Sequence, residues 1–291
     1  MHYEGPIYRP PSEADSLLVQ ATVGCPHNKC AFCMVYKKGP PFRVRPVDEI
    51  KRDLDEARGE YGPGIRTIFF PAGNTIAMPT DDLAAICAYA HDIFPHLERV
   101  TVYGSSTYIH RKGLAGLIKL KNAGLGRIHV GLESGDDRVL QSIKKGTDSQ
   151  EQIEAGLWVL KSGIELSEYI MIGIGGKERT HEHAMNTALA LNVIHPHFIR
   201  LRTFLPKANT LLLHQIRKGR FQALSPHEAL RETREIIRNL EINSQVASDH
   251  YTNYVDIRGR MPEDRDSMLS TIEDALQMEE EMFRPVYVGT Q

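Results

Sequence analysis

The sequence predicts an α/β fold, a partial (β/α)6 barrel of the TIM type with a C-terminal helical extension. Three observations predict it. Short apolar, β-branched runs alternate with amphipathic stretches of helical period. No repeat at periods of about 20 to 50 residues marks a solenoid. The residues that carry chemistry fall just past the strands, where the loops of such a barrel converge over one mouth.

Strands are expected over residues 17–23, 67–70, 100–103, 128–132, 169–174 and 198–204, most of them apolar enough to be covered on both faces, as parallel strands are. Helices are expected between them, over residues 47–61, 81–94, 114–122, 150–161 and 182–191, several stopped by a glycine such as Gly124 or Gly163. Two more, 226–240 and 264–278, are joined by the polar segment 248–262. Residues 1–210 are therefore expected to form the barrel and 211–291 an extension that caps it.

The 291 residues are 41% hydrophobic and 25% charged with a formal net charge of -2, so charge does not favour a polyanionic partner, and no nucleic acid is evident. No run of about 18 apolar residues suggests a membrane span. Residues 1–20 carry acids and prolines where a signal peptide needs an apolar segment, which predicts a cytoplasmic protein. Three of the four cysteines lie within residues 25–33; in a reduced chain that pattern points to a metal or catalytic site before a disulfide framework.

The segment Gly24-Cys25-Pro26-His27-Asn28-Lys29-Cys30-Ala31-Phe32-Cys33 directly follows the first strand, with four and then two residues between its cysteines. Three thiolates on so short a loop can converge on one site. Soft thiolates suit zinc or an iron–sulfur cluster. A structural zinc site needs a fourth ligand, which His27, His2 or Cys87 would have to supply, and a Cys3His zinc site stands as the alternative. A cluster on three cysteines instead leaves one iron open to a chelating substrate or cofactor. Cys87, between Ile86 and Ala88 in a helical run, is most simply a small buried hydrophobe.

On these residues the sequence resembles the radical S-adenosylmethionine superfamily, whose cysteine loop also follows the first barrel strand and also carries an aromatic residue, here Phe32, before its last cysteine. The usual spacing there is three residues and then two; four and then two occurs in some branches. The likeness continues in Gly131-Leu132-Glu133-Ser134-Gly135, Lys144-Lys145-Gly146-Thr147 and Met171-Ile172-Gly173-Ile174-Gly175-Gly176, and spans about residues 17–206. Together these look like the half of the superfamily that holds the oxygen-independent coproporphyrinogen oxidases and methylthiotransferases. Segments 248–253 and 259–264 are similar to uncharacterised members.

The resemblance implies two cofactors: a [4Fe–4S] cluster on Cys25, Cys30 and Cys33, and S-adenosylmethionine on its open iron. It implies a nucleoside and amino-acid site made of Phe32, Gly73, Asn74, Glu133, Lys145, Glu168 and Gly173. Gly73 and Asn74 stand where the superfamily has a turn at the cofactor's amino group; glycine lets carbonyls approach an ammonium, and Asn74 offers an acceptor, although the usual acid is absent. Glu133 would accept the ribose hydroxyls, Lys145 would face the methionine carboxylate, and the turn at Gly173, Gly175 and Gly176 would admit adenine. Glu168 is a ribose or substrate contact.

Arg200 and Arg202 alternate with apolar residues and so share one side of the sixth strand. If that side is the lumen they bind a carboxylate or phosphate; if it is an open edge they are solvated. With His250 they are the candidate substrate contacts. Arg43 and Arg45 pose the same question. The implied activity is reductive cleavage of S-adenosylmethionine to methionine and a 5′-deoxyadenosyl radical that abstracts hydrogen from a small molecule, with electrons from a donor such as flavodoxin or ferredoxin. No second cysteine cluster is present for an auxiliary centre, which argues against a methylthiotransferase and leaves rearrangement, oxidation, lyase chemistry or methylation. The alternative is a non-catalytic iron–sulfur or zinc protein acting as a cofactor carrier.

Overall fold

A computed structural model describes residues 1–283; residues 284–291 of the expected extension lie outside the described residues. In chain order the elements are β1 (Leu17–Leu18), β2 (Thr22–Val23), β3 (Arg43–Val44), α1 (Val47–Tyr61), β4 (Thr67–Phe70), α2 (Thr80–Ile93), β5 (Arg99–Gly104), α3 (Ser106–Asn122), β6 (Leu125–Glu133), α4 (Asp137–Ser142), α5 (Ser149–Lys161), β7 (Glu165–Ile172), α6 (Thr180–Ile194), β8 (Phe198–Thr203), α7 (Leu211–Arg217), α8 (Pro226–Arg238), β9 (Gln245–Ala247), β10 (Arg258–Arg260) and α9 (Arg265–Leu276). The α/β class is as expected. So is the sixfold alternation: β1, β4, β5, β6, β7 and β8 are each followed by a helix before the next of them begins. Among the described residues no helix is long and apolar enough to cross a membrane.

The chain divides into two compact units. The first holds Met1–Asn28, Val35–Val130 and Glu154–Leu166; the second holds Lys29–Met34, Gly131–Ile153 and everything from Ser167 on. Residues 211–283 thus share a unit with β8 and most of β7.

In the first unit β1, β4, β5 and β6 lie side by side and parallel, with Leu17 opposite Ile68, Phe69 opposite Thr101 and Tyr103 opposite His129. The expected first strand is interrupted: β1 stops at Leu18, and β2 turns away to pair antiparallel with β3. Helix α1 runs over the expected residues, preceded by Pro46, with Asp48 and Glu49 in its first turn and Arg58 in its last, each where it favours the helix dipole. Helix α3 begins earlier than expected, at Ser106, and is broken at Gly113, whose φ of 67° is not helical. The core is formed by Ile50, Leu54, Phe69, Phe70, Ile86, Val100, Val102 and Leu117, all fully buried, and Cys87 lies among the buried residues as expected. Glu13 is also fully buried, on His129 at 3.1 Å and Arg99 at 3.3 Å. Burial pushes its carboxyl up, but hydrogen bonds from His129 and Ser16 and the charges of His129 and Arg99 outweigh that and hold it at about 2.

In the second unit β7 and β8 run parallel with Tyr169 opposite Arg200 and Met171 opposite Arg202; β9 continues parallel to β8, and β10 closes antiparallel on β9. Neither β9 nor β10 is foreseen by the sequence, and β10 falls inside the expected polar link. Helix α8 starts as its sequence dictates, with Ser225 and Glu228 forming a reciprocal capping box and Pro226 at the first helical position. Ala31, Val139, Ile143, Met171, Ile174, Phe204 and Leu212 form one buried apolar cluster, with Phe32 packed against it.

Candidate cofactor site

Cys25 belongs to the first unit, and its surroundings are tightly specified. Asn28 adopts φ 42°, and its N–H points at Cys25 Sγ at 3.5 Å; its side chain donates to the Tyr36 carbonyl at 2.9 Å. Gly73, after β4, donates to the Gly24 carbonyl at 3.1 Å. A Cβ at Gly73 would sit 2.6 Å from Cys25 Cβ and 2.8 Å from the Tyr36 ring, so only glycine fits. Beside it, Asn74 is 1% exposed; its Nδ2 donates to Ser105 at 2.8 Å, while its Oδ1 is buried without a hydrogen-bond partner. A buried acceptor left open costs free energy unless a donor arrives, and an ammonium is such a donor.

Cys30 and Cys33 belong to the second unit. Their loop is anchored on both sides, by Ala31 N–H on the Ile143 carbonyl at 2.7 Å and by Leu212 N–H on the Ala31 carbonyl at 2.9 Å. Phe32 packs on the apolar cluster between these anchors.

Glu133 ends β6 in an unusual backbone state, at φ 63°, and the chain turns there with Ser134 N–H on the Leu132 carbonyl at 2.8 Å. A non-glycine residue in that region costs about 1–3 kcal/mol and persists only where its surroundings demand it. The strain delivers the carboxylate to Lys145, whose Nζ donates to Glu133 Oε1 at 3.1 Å. A Cβ at Gly131 would fall 2.3 Å from that oxygen and 2.9 Å from Nζ, so the glycine makes the room. Burial pushes the Lys145 ammonium down, but the charges of Glu133, Cys30 and Glu168 outweigh it and leave its pKa above the ordinary value.

Glu168 stands in the middle of β7, not at its start as expected, because the strand begins at Glu165. It is 1% exposed, and its Oε2 is buried without a hydrogen-bond partner. Burial, against the pull of Lys145 and with the push of Glu133, raises its pKa to about 8. The group therefore combines the Glu133 carboxyl oxygens as acceptors, the Lys145 ammonium as donor and a Glu168 carboxyl that is mostly protonated at neutral pH, a set suited to a zwitterionic, hydroxyl-bearing ligand.

The second unit also places the substrate candidates. Arg200 and Arg202 share a face of β8 with their partners Tyr169 and Met171 on β7. The Arg200 side chain is 10% exposed and its Nη1 lies 3.4 Å from Asp249, while Arg202 Nε is buried without a hydrogen-bond partner. His250 is held in its own turn, with Nδ1 at 2.8 Å from the Thr252 hydroxyl and its ring on Tyr251 at 4.4 Å. Asn253 is occupied, bridging Thr203, Leu201 and Ser248. Arg45 is resolved as structural, buried on Asp53 at 2.7 Å, and Arg43 pairs with Glu4.

A family model described as the radical SAM superfamily matches residues 19–188. The chain belongs to the radical SAM superfamily. Among curated relatives of this radical SAM chain, the heme chaperone HemW of Bacillus subtilis is 23% identical over 72% of this chain and 55% of its own length. The tRNA-2-methylthio-N(6)-dimethylallyladenosine synthase of Nitrosomonas europaea is 27% identical over 57% of this chain and 38% of its own. Among solved structures, methylornithine synthase (PylB) superposes with a TM-score of 0.54 at 16% identity, covering 89% of this chain and 81% of that one, which shows the same fold. The chain spans 32%, 55% and 38% of three of the curated relatives it matches.

A radical SAM chain has a [4Fe–4S] cluster and S-adenosylmethionine as its cofactors. Among the described residues no three His, Cys, Asp or Glu side chains already stand as a metal-ligating group, so the fit rests on each residue's surroundings. They fit. The thiols are soft, the cysteine loop is fixed by backbone bonds, the Asn74 acceptor is open, and a positive Lys145 stands close enough to Cys30 to feel its charge. Sequence reasoning assigns no role to Ser134, His183 or Glu232, which the fold gathers behind the turn at Gly173 from positions far apart in the chain.

Proposed function

We propose that this chain is a radical SAM enzyme in which Cys25, Cys30 and Cys33 hold the cluster and Gly73, Asn74, Glu133, Lys145, Glu168 and Gly173, with Phe32 as packing support, receive S-adenosylmethionine. The single observation that carries the reading is the buried group of Glu133, Lys145 and Glu168, formed at a strained strand end and electrostatically coupled to Cys30. When bound, the two cofactors supply reductive cleavage of S-adenosylmethionine to methionine and a 5′-deoxyadenosyl radical that takes a hydrogen atom from the substrate. The chain's own residues bind, orient and exclude water. Lys145 pairs with a carboxylate, Glu133 accepts hydroxyls, Asn74 accepts an ammonium, and the apolar cluster under Phe32 keeps the loop dry.

The substrate is a small molecule bearing an anionic group, met by Arg202 and by Arg200 once Asp249 yields it. Residues 1–210 carry the cofactors, and the extension bears on the substrate side through Asp249 and His250. Electrons come from a low-potential donor such as flavodoxin or ferredoxin, in the cytoplasm. A second reading, a cofactor carrier without turnover, draws on the relative named a heme chaperone. Anaerobic reconstitution followed by dithionite and S-adenosylmethionine separates the two: 5′-deoxyadenosine supports the enzyme, and a full cluster that never yields it overturns that reading.

A further inference from the structure

The turn after β7 is held from behind by a carboxyl of α8. Glu232 is 2% exposed. Its Oε1 accepts the Gly173 N–H at 2.6 Å and its Oε2 the Thr180 hydroxyl at 2.5 Å. His183, fully buried on α6, brings Nε2 to 3.4 Å from the same Oε1, and its Nδ1 lies 2.8 Å from the Ser134 hydroxyl. Ser134 directly follows Glu133 and accepts the Asp136 N–H at 3.0 Å. A polar bridge, Ser134 to His183 to Glu232 to Gly173, therefore lies between the turns that follow β6 and β7, hydrogen-bonded at its two ends, while His183 Nε2 stands 3.4 Å from Glu232 Oε1 without a hydrogen bond.

Burial raises Glu232 to about 8 and lowers His183 to about 4, so at neutral pH both are mostly uncharged and the contact between them is not an ion pair. Packing alone would be served as well by apolar side chains, because buried polar groups stabilise little beyond satisfying one another. What the bridge does specifically is fix one backbone group. Gly173 lies past Ile172, the last residue of β7 paired with β8, and adopts φ 81°, so its N–H relies on the Glu232 carboxyl.

We propose that Glu232 is a positioning residue for the cofactor site: it sets the Gly173 turn through the hydrogen bond to the Gly173 N–H, beside His183, which is bonded to Ser134 in the turn that presents Glu133. The inference rests on the reading above, in which S-adenosylmethionine lies against both turns.

Two measurements on the full chain test it: amide exchange over residues 173–176 without cofactor, and the Kd for S-adenosylmethionine after anaerobic reconstitution. Glu232→Ala should speed that exchange and weaken binding about tenfold each, the equivalent of one buried hydrogen bond left unmade, with iron content unchanged. Glu232→Gln keeps an acceptor for Gly173 and should return both to within about twofold of wild type. If Glu232→Ala does not fold, Glu232→Leu takes its place, with volume but no acceptor. A variant without the acceptor that loses thermal stability yet binds and exchanges as Glu232→Gln does overturns the inference and leaves the proposed function standing. A wild-type protein with a full cluster and no affinity for S-adenosylmethionine overturns both.

Discussion

Glu168 and Glu13 are both buried carboxyls, yet they tie stability to pH with opposite signs. Glu168 titrates at about 8 in the folded chain and near 4.5 when unfolded, so burial imposes no penalty below pH 4.5 and an increasing one as pH rises towards 8. Glu168→Gln should therefore melt increasingly above wild type between pH 5 and 8, by several degrees at the top of that window, in parallel thermal scans. Glu13 is held at about 2, so its contribution is present above pH 4.5 and lost as pH falls towards 2; Glu13→Gln should be less stable than wild type at pH 7 and approach it in acid. Cysteine substitutions test the ligand set. Replacing Cys25, Cys30 or Cys33 with Ala should abolish the roughly 400 nm cluster absorbance and the bound iron. Cys87→Ala should leave both intact, because that thiol is fully buried and burial pushes its pKa up to about 12.

At the scale of elements, the turn after β4 is the most exacting. Gly73→Ala would force a methyl into Cys25 and Tyr36, and should cost about 1–3 kcal/mol and lower iron retention after reconstitution. Gly59, exposed in α1 with nothing within 4 Å of an added Cβ, is its control: Gly59→Ala should raise stability by about 0.5–1 kcal/mol in denaturant titration. The same contrast explains what the sequence could reveal. Residues 67–70 are a short apolar run and residues 47–61 a strong amphipathic period, and β4 and α1 occupy those spans. β9 and β10 went unforeseen because Gln245–Ala247 and Arg258–Arg260 are too short and polar to show a period; they are strands because β8 offers an edge. The expected first strand runs past β1 because Val19 and Ala21 continue its apolar run around a single polar Gln20 up to Thr22 and Val23, although the strand stops at Leu18 and the chain begins the approach to the cysteines. Glu133 and Lys145, which pair in the structure, stand out in the sequence by their spacing in a known motif, whereas Ser134, His183 and Glu232 meet only after folding, across separations of 49 residues or more.

For the whole molecule, the two units alternate along the chain, the change at residue 28 falling inside the cysteine loop. The second unit draws on residues 29–34, 131–153 and those from 167 on, so residues 211–283 share it with β8 and most of β7. Leu212 supplies the N–H that anchors Ala31, β9 covers the edge of β8, and Glu232 holds Gly173. A chain ending at residue 210 would expose the partners of Leu212, Ala229, Leu230, Ile236, Ile237 and Val246, all buried. Each such side chain contributes about 1.5–3 kcal/mol, so their sum rivals the roughly 5–15 kcal/mol that separates a folded domain from its unfolded chain. The truncated protein should accordingly lose cooperative unfolding by calorimetry and fail to retain iron, even though every cysteine of the loop is still present. A truncated chain that melts in one sharp transition with its iron bound would show instead that residues 1–210 are self-sufficient and that the C-terminal region is a cap in the literal sense.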